Sequence, residues 1–174
     1  MLSDKRKIDI SVIGGAGHVG FPLGLIFSSK GYKVALVDKD KKNINKINNG
    51  TIPFMEDKSK ALLKKMLSKK KIFATEDVNI IKKSKYIIVC IGTPINSQMN
   101  PSLKKFINFF HSIKKHLNSR QTLIIRSSIY PGIYDKIYNI VKYKCKNVTY
   151  CPERIVQGKS IIELPKLPQI VSAK

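Results

Sequence analysis

The sequence predicts an α/β fold, a doubly wound parallel sheet with helices on both faces, and three observations predict it. Short apolar runs recur along the 174 residues and alternate with helical patterns, which is how strands buried on both faces and their crossover helices read. A glycine loop, Asp38, Thr93, Ser128 and Glu153 all follow the carboxyl ends of those runs, the end at which open parallel sheets bind ligands. The length suits one domain without repeats or a linker.

The elements follow in order. Ile8 to Ile13 reads as a buried strand running directly into Gly14-Gly15-Ala16-Gly17-His18-Val19-Gly20. Leu23 to Phe27 reads as a helix closed near Gly31, with an irregular start expected at Pro22. Lys33 to Val37 is a second strand ending at Asp38, followed by helical patterns at about 41–48 and 57–69. Ile72 to Ala74 is a third strand, and Asp77 can cap a short helix through Ile81. Tyr86 to Ile91 is a strongly apolar fourth strand before Gly92-Thr93-Pro94. Ser102 to Leu117 reads as a helix with Phe106, Phe109, Phe110 and Ile113 on one side. Thr122 to Ile125 is a fifth strand, a helix follows at about 132–142, and Val148 to Tyr150 is a sixth strand. Gln169 to Val171 reads as one strand more.

Lys+Arg number 33 against 11 Asp+Glu, a net charge of +22. The lysines run from Lys5 to Lys174 rather than forming one patch, and no aromatic series interleaves with them. That reads as a solvated basic surface, attracted to polyanions at low salt but without a specific nucleic-acid partner. No apolar run approaches a membrane span, and no cleavage site closes the first apolar run, so neither a membrane anchor nor a signal peptide is expected. Cys90, Cys145 and Cys151 are odd in number and lack metal-ligand spacing, which favours a reduced cytoplasmic chain without a metal. Cys145 sits among lysines, which can lower a thiol pKa. His111 and His116 fall on a lysine-rich helix and are expected to be solvated.

Gly15-x-Gly17-x-x-Gly20 follows a strand and opens a helix. The first glycine permits the tight turn, the second lets the backbone approach a pyrophosphate, and the third permits close helix–strand packing. The helix start offers free N–H groups and the positive end of its dipole to phosphates. Asp38 ends the next strand, where a carboxylate accepts hydrogen bonds from ribose hydroxyls and repels a 2′-phosphate. The reading is a Rossmann-like domain that binds NAD rather than NADP.

Five segments extend that reading: Val12 to Leu23, Ile52-Pro53-Phe54-Met55-Glu56, Ile91-Gly92-Thr93-Pro94, Arg126-Ser127-Ser128-Ile129-Tyr130-Pro131-Gly132, and Cys151-Pro152-Glu153-Arg154-Ile155 with Gly158-Lys159 and Glu163-Leu164. In this order they make the chain resemble the N-terminal domain of the UDP-glucose/GDP-mannose dehydrogenase family, most of all the branch acting on UDP-N-acetylhexosamines. The resemblance implies a four-electron oxidation of a nucleotide-sugar C6 alcohol to the carboxylate, with two NAD consumed in turn. It implies a cysteine that passes through a thiohemiacetal and a thioester, and that places this cysteine, a lysine and an asparagine in later domains. Residues 1–174 are accordingly read as the NAD-binding N-terminal domain, without the central helix and C-terminal UDP-sugar domains that would be its partners.

Carried over by resemblance, the NAD contacts fall on His18, Val19, Asp38, Thr93 and Ser128 beside Gly15, Gly17 and Gly20. Ser128 stands where the family usually has Thr, so its hydroxyl is kept and a methyl is lost. Glu153 matches a glutamate that positions or activates the hydrolytic water, which with Ser128 makes the catalytic pair. Arg154 and Ile155 match positions near the nucleotide sugar. Gln157 replaces a second acid found in some relatives. None of the three cysteines takes the nucleophile's place, so these residues alone are expected to lack turnover. The alternative is an NAD-binding module without chemistry.

Overall fold

The computed structural model describes residues 8–56, 58–92 and 103–173. Seven strands, β1 (Ile8–Ile13), β2 (Val34–Val37), β3 (Ile72–Thr75), β4 (Ser84–Val89), β5 (Thr122–Ile125), β6 (Asn147–Tyr150) and β7 (Ser172–Ala173), form one sheet in the order β3-β2-β1-β4-β5-β6-β7. Every neighbouring pair is parallel except β6 with β7. The chain moves outward one way from β1 through β2 to β3, then returns to β4 and moves the other way. The gap between the loops after β1 and β4 is therefore the switch point at which such sheets bind ligands.

Alternation along the strands feeds two cores. Ile10 and Val12 of β1, Leu36 of β2 and Ile88 of β4 face α1 (Gly20–Ser29), α2 (Lys41–Asn48), α3 (Ser59–Ser68) and the short α6 (Ser160–Glu163). Ile13, Val37, Ile87, Val89, Leu123 and Ile125 face α4 (Leu103–Ile113) and α5 (Ile133–Val141). Phe106, Phe110 and Ile113 of α4 and Ile133, Ile137 and Val141 of α5 recur at helical spacing and are buried.

Several boundaries differ from the sequence reading for identifiable reasons. α1 starts at Gly20 with no irregularity at Pro22, because Pro22 is the helix's third residue, where an N–H has no helical partner inside the element. The Phe21 and Leu23 amides reach back to the Gly17 and Val19 carbonyls, at 3.0 and 3.3 Å, on either side of the bond proline cannot make. β4 spans Ser84–Val89, two residues earlier than expected; Cys90 and Ile91 owe their apolar character to the cleft they line. α4 stops at Ile113, and a 3₁₀ turn, Lys114–His116, folds His116 inward. His116 is therefore buried rather than solvated. Cys145 is also buried, its thiol 3.2 Å from the Gln121 carbonyl, and burial raises its pKa instead of nearby lysines lowering it. The last strand is Ser172–Ala173, displaced from Gln169–Val171 because Gln169 turns to the site described below. α6 had no periodic signal, being only four residues long. The expected start of α4 at Ser102 lies outside the described residues.

Candidate functional site

Val37, Ile13, Val89, Ile125 and Tyr150 are in register across five strands. The residues one position further on, Asp38, Gly14, Cys90, Arg126 and Cys151, thus form a row along the carboxyl rim of the sheet. Polar chemistry gathers here because the apolar ladder ends here.

The glycine loop divides its work differently from the simple reading. Gly14, ahead of the fingerprint, is the residue in the left-handed region, at φ +77°, and a Cβ on it would sit 2.9 Å from the Cys90 carbonyl group. Gly15 is needed for close approach: a Cβ there would meet the Leu36 Cα at 2.7 Å. A Cβ on Gly20 would collide with the Gly14 carbonyl oxygen, so α1 is seated directly on the turn. Gly17 alone has room, with Gly14 O at 3.4 Å from the added atom. No side chain caps α1. Among the described residues no acceptor takes the amides of His18 or Val19. An uncapped helix start above an open glycine is a place where a pyrophosphate fits.

Two clefts flank this loop. One, of about 650 Å³, lies over the β1–β2 half and includes Asp38, Lys39, Glu76, Val78, Phe106 and Phe109. The other, of about 470 Å³, lies over the β4–β6 half and includes Val19, Arg126, Ser128, Ile129, Tyr130 and Glu153. Both include Cys90, Ile91 and Gly92, so they meet at the end of β4. The combined groove has the form a two-part ligand requires, with a waist at the glycine loop.

Asp38 is half-buried in the first cleft. Its Oδ2 accepts the Ala16 amide at 2.9 Å, and its Oδ1 accepts the Lys39 and Asp40 amides at 2.8 and 3.2 Å. A carboxylate offers about four acceptor positions, so Oδ2 keeps room for one more donor. Glu153, at the far end, differs. Its Oε2 takes both Nε, at 2.9 Å, and Nη2 of Arg126, and its Oε1 takes the amides of Arg154 and Ile155 at 2.8 and 3.2 Å. The pair is buried, at 7% and 9% side-chain exposure. Nη1 of Arg126 donates to Cys151 Sγ at 3.2 Å and to Gln169 Oε1 at 3.0 Å. Glu153 is thus saturated, and any further donor has to displace one of these.

The other residues of interest fall around this groove. His18 is exposed, with its ring 4.0 Å from that of Phe54, centroid to centroid. Ser128 is exposed in the second cleft. Arg154 is exposed, its guanidinium turned away from Glu153 to the Pro168 carbonyl at 2.7 Å. Ile155 packs against the first core. Thr93 lies outside the described residues. Burial pushes the Cys90 thiol up to about 12, against the opposing pull of Arg126, so it stays protonated at neutral pH. Cys151 is a buried wall residue beside Arg126. Among the described residues no three His, Cys, Asp or Glu side chains gather as a metal site, and no helix is long and apolar enough to cross a membrane.

The family model for the NAD binding domain of the UDP-glucose/GDP-mannose dehydrogenases matches residues 8–173. The chain belongs to the UDP-glucose/GDP-mannose dehydrogenase family. The cofactor is NAD. The chain is 28% identical over 172 residues to a UDP-N-acetyl-D-mannosamine dehydrogenase of Methanococcus vannielii, covering 97% of this chain and 39% of the relative. A UDP-glucose 6-dehydrogenase of Rickettsia felis is also 28% identical, over 84% of this chain and 34% of its own length. The solved UDP-D-ManNAc dehydrogenase of Pyrococcus horikoshii superimposes with a TM-score of 0.85 at 27% identity, over 95% of this chain and 41% of that one. This NAD-binding domain thus spans about two fifths of the length of such dehydrogenases.

Sequence reasoning passed over Arg126, Phe54 and Glu56 as site residues. A signal existed for Arg126: it breaks the run Leu123-Ile124-Ile125 at a strand end, and a buried guanidinium there requires an acid. Glu56 is buried and accepts the Ile161 amide at 3.0 Å, tying the segment that carries Phe54 to α6.

Proposed function

We propose that this chain is the NAD-binding part of an enzyme that oxidises the C6 alcohol of a UDP-sugar to a uronic acid, the favoured substrate being a UDP-N-acetylhexosamine. The observation that carries this reading is the groove: two clefts joined at Cys90–Gly92, with an acceptor-rich Asp38 at one end and the Arg126–Glu153 pair at the other. The relatives named UDP-N-acetyl-D-mannosamine dehydrogenase support the choice of sugar. In the cytoplasm, two NAD would each accept a hydride, and water would supply the second carboxylate oxygen.

The residues then divide the work. Asp38 takes a ribose hydroxyl on the open position of Oδ2. Gly15, Gly17 and Gly20 shape the turn, and the His18 and Val19 amides donate to the pyrophosphate. Ser128 brings a hydroxyl to the cofactor, and by the family resemblance Thr93 does the same. Glu153 orients the hydrolytic water, which requires one of its four donors to yield. Arg154 and Ile155 lie where the nucleotide sugar approaches. The nucleophilic cysteine belongs to a segment beyond residues 1–174, which together with the sugar nucleotide is the expected partner.

Calorimetric titration tests this reading. NAD should bind with one site, NADP should bind at least about tenfold more weakly through repulsion from Asp38, and Asp38→Ala should weaken NAD by about 1–3 kcal/mol. Equal affinity in the variant would overturn the assignment. Incubation with UDP-N-acetylmannosamine, UDP-N-acetylglucosamine or UDP-glucose should release no NADH from these residues alone. Steady turnover would show that a cysteine present here, Cys151 first, acts as nucleophile.

A further inference from the structure

The opposite rim of the sheet carries a third concavity, of about 570 Å³, where the 3₁₀ turn Val78–Lys83 meets β4 and where the loop at 118–121 enters β5. Its walls present Lys82, Lys83, Lys85 and Arg120, together with Ser119 and Asn118, and no acidic side chain. All four cations are exposed, and among the described residues none makes an ion pair. We propose that this pocket binds a compact oligophosphate, as a second anion site separate from the dinucleotide groove.

The pocket is a built feature rather than a gap between mobile side chains. Gln121 is buried at its floor and donates Nε2 to the carbonyls of Ile81 and Ser84 at 2.6 and 2.9 Å, while its Oε1 accepts the Asn118 amide at 2.9 Å. Asn118 in turn accepts the Arg120 amide on its side chain at 3.0 Å. One glutamine therefore pins the wall bearing Arg120 to the wall bearing Lys82, Lys83 and Lys85. Asp77 does not line the pocket; its Oδ1 accepts the Asn79 amide and side chain at 2.9 and 2.8 Å, which with the charge of Lys83 holds its carboxyl below the usual range. The positive field reaches inward: His116 is held below its usual range first by burial and then by Lys82 and Lys115.

Geometry selects the class of ligand. Lys82, Lys83, Lys85 and Arg120 line one concavity from two walls, the Lys85 ammonium lying 5.1 Å from the Tyr86 ring centroid; a local cluster of this size suits a small multivalent anion rather than a nucleic-acid backbone. No aromatic side chain lines the pocket to stack a base, so the phosphates are the recognised part. The densest lysine run, Lys64-Lys65 to Lys69-Lys70-Lys71, lines none of these three cavities.

The probe is inorganic tripolyphosphate, titrated with and without saturating NAD. One equivalent should bind in both conditions. The exposed double variant Lys82→Gln/Arg120→Gln should weaken it at least about tenfold, since charge-assisted bonds are the strong ones. Lys65→Gln/Lys69→Gln at the end of α3 has the same charge change and should alter it less than about twofold. With NAD saturating the groove, ATP should bind through the same residues and adenosine should not. Four outcomes overturn the proposal: no binding, complete competition by NAD, equal weakening in both double variants, or binding of a single-stranded oligonucleotide without binding of tripolyphosphate. Circular dichroism of each variant verifies that the fold is kept.

Discussion

Two carboxylates at opposite ends of the groove, Asp38 and Glu153, are in opposite states. Asp38 is half-exposed and bonded by three backbone amides, with one acceptor position left. Glu153 is buried and bonded by one guanidinium and two amides, with none left. Asp38 is held by its own loop and the neighbouring turn, so its carboxylate is ready to receive a ligand. Glu153 is held by Arg126, whose remaining nitrogen reaches Gln169 on the last segment of the chain. The first end is marked by the acceptor position it leaves free, the second by the donors it occupies. A carboxylate past the carboxyl end of a strand thus keeps an open acceptor position in one half and ties the rim together in the other.

The largest expected effect breaks the second end. Arg126→Met leaves the Glu153 charge buried without its partner and should cost about 3–5 kcal/mol in urea unfolding. Arg126→Met/Glu153→Leu should recover most of that loss. A cost below about 1 kcal/mol for the single variant would place the two ends on an equal footing and refute the contrast.

The waist between the ends should respond next. Gly20→Ala drives a Cβ into the Gly14 carbonyl and should destabilise by about 1–3 kcal/mol. Gly17→Ala has room for its methyl and should keep the stability while weakening NAD at the pyrophosphate. Thermal melts paired with NAD titration separate the two; equal loss of stability in both variants would contradict the assigned roles.

A binding measurement sharpens the comparison further. On the proposed reading AMP occupies the first cleft alone, so it should lose affinity in Asp38→Ala by about 1–2 kcal/mol and be unaffected by Glu153→Gln. Sensitivity to Glu153→Gln would mean that the clefts are coupled through Cys90–Gly92.

The smallest effect lies away from the groove. His116 is buried, and among the described residues its Nδ1 has no hydrogen-bond partner. Its folded pKa is below the ordinary 6.5. Between those two values the unfolded chain binds the extra proton, so stability should fall as pH drops below about 6.5. His116→Leu should flatten that slope in unfolding experiments at pH 7 and pH 5.5. An unchanged slope would assign the acid sensitivity to other groups.

Much of this was legible in the chain. Ile8–Ile13, Lys41–Asn48 and Thr122–Ile125 coincide with their sequence readings because each is bounded by a change of chemistry: a glycine loop, the Asp40 cap, an arginine. Asp38 was legible because a strand end and a glycine loop lie close together in sequence. Arg126 and Glu153 were not seen as a pair, since 27 residues separate them and parallel register alone brings them together. His116 and Cys145 were misread because lysine-rich surroundings conceal which single side chain turns inward.

By itself the sequence determined the first six strands in their order, the longer crossover helices, the glycine loop and the family, all of which rest on local periodicity and on backbone demands that particular residue types meet. Only the tertiary structure decided which polar groups still have capacity to bind. Hydrogen-bond saturation is a property of partners brought together across strands: it left one open position on Asp38, closed Glu153 around Arg126, and gathered Lys82, Lys83, Lys85 and Arg120 around a pocket pinned by Gln121.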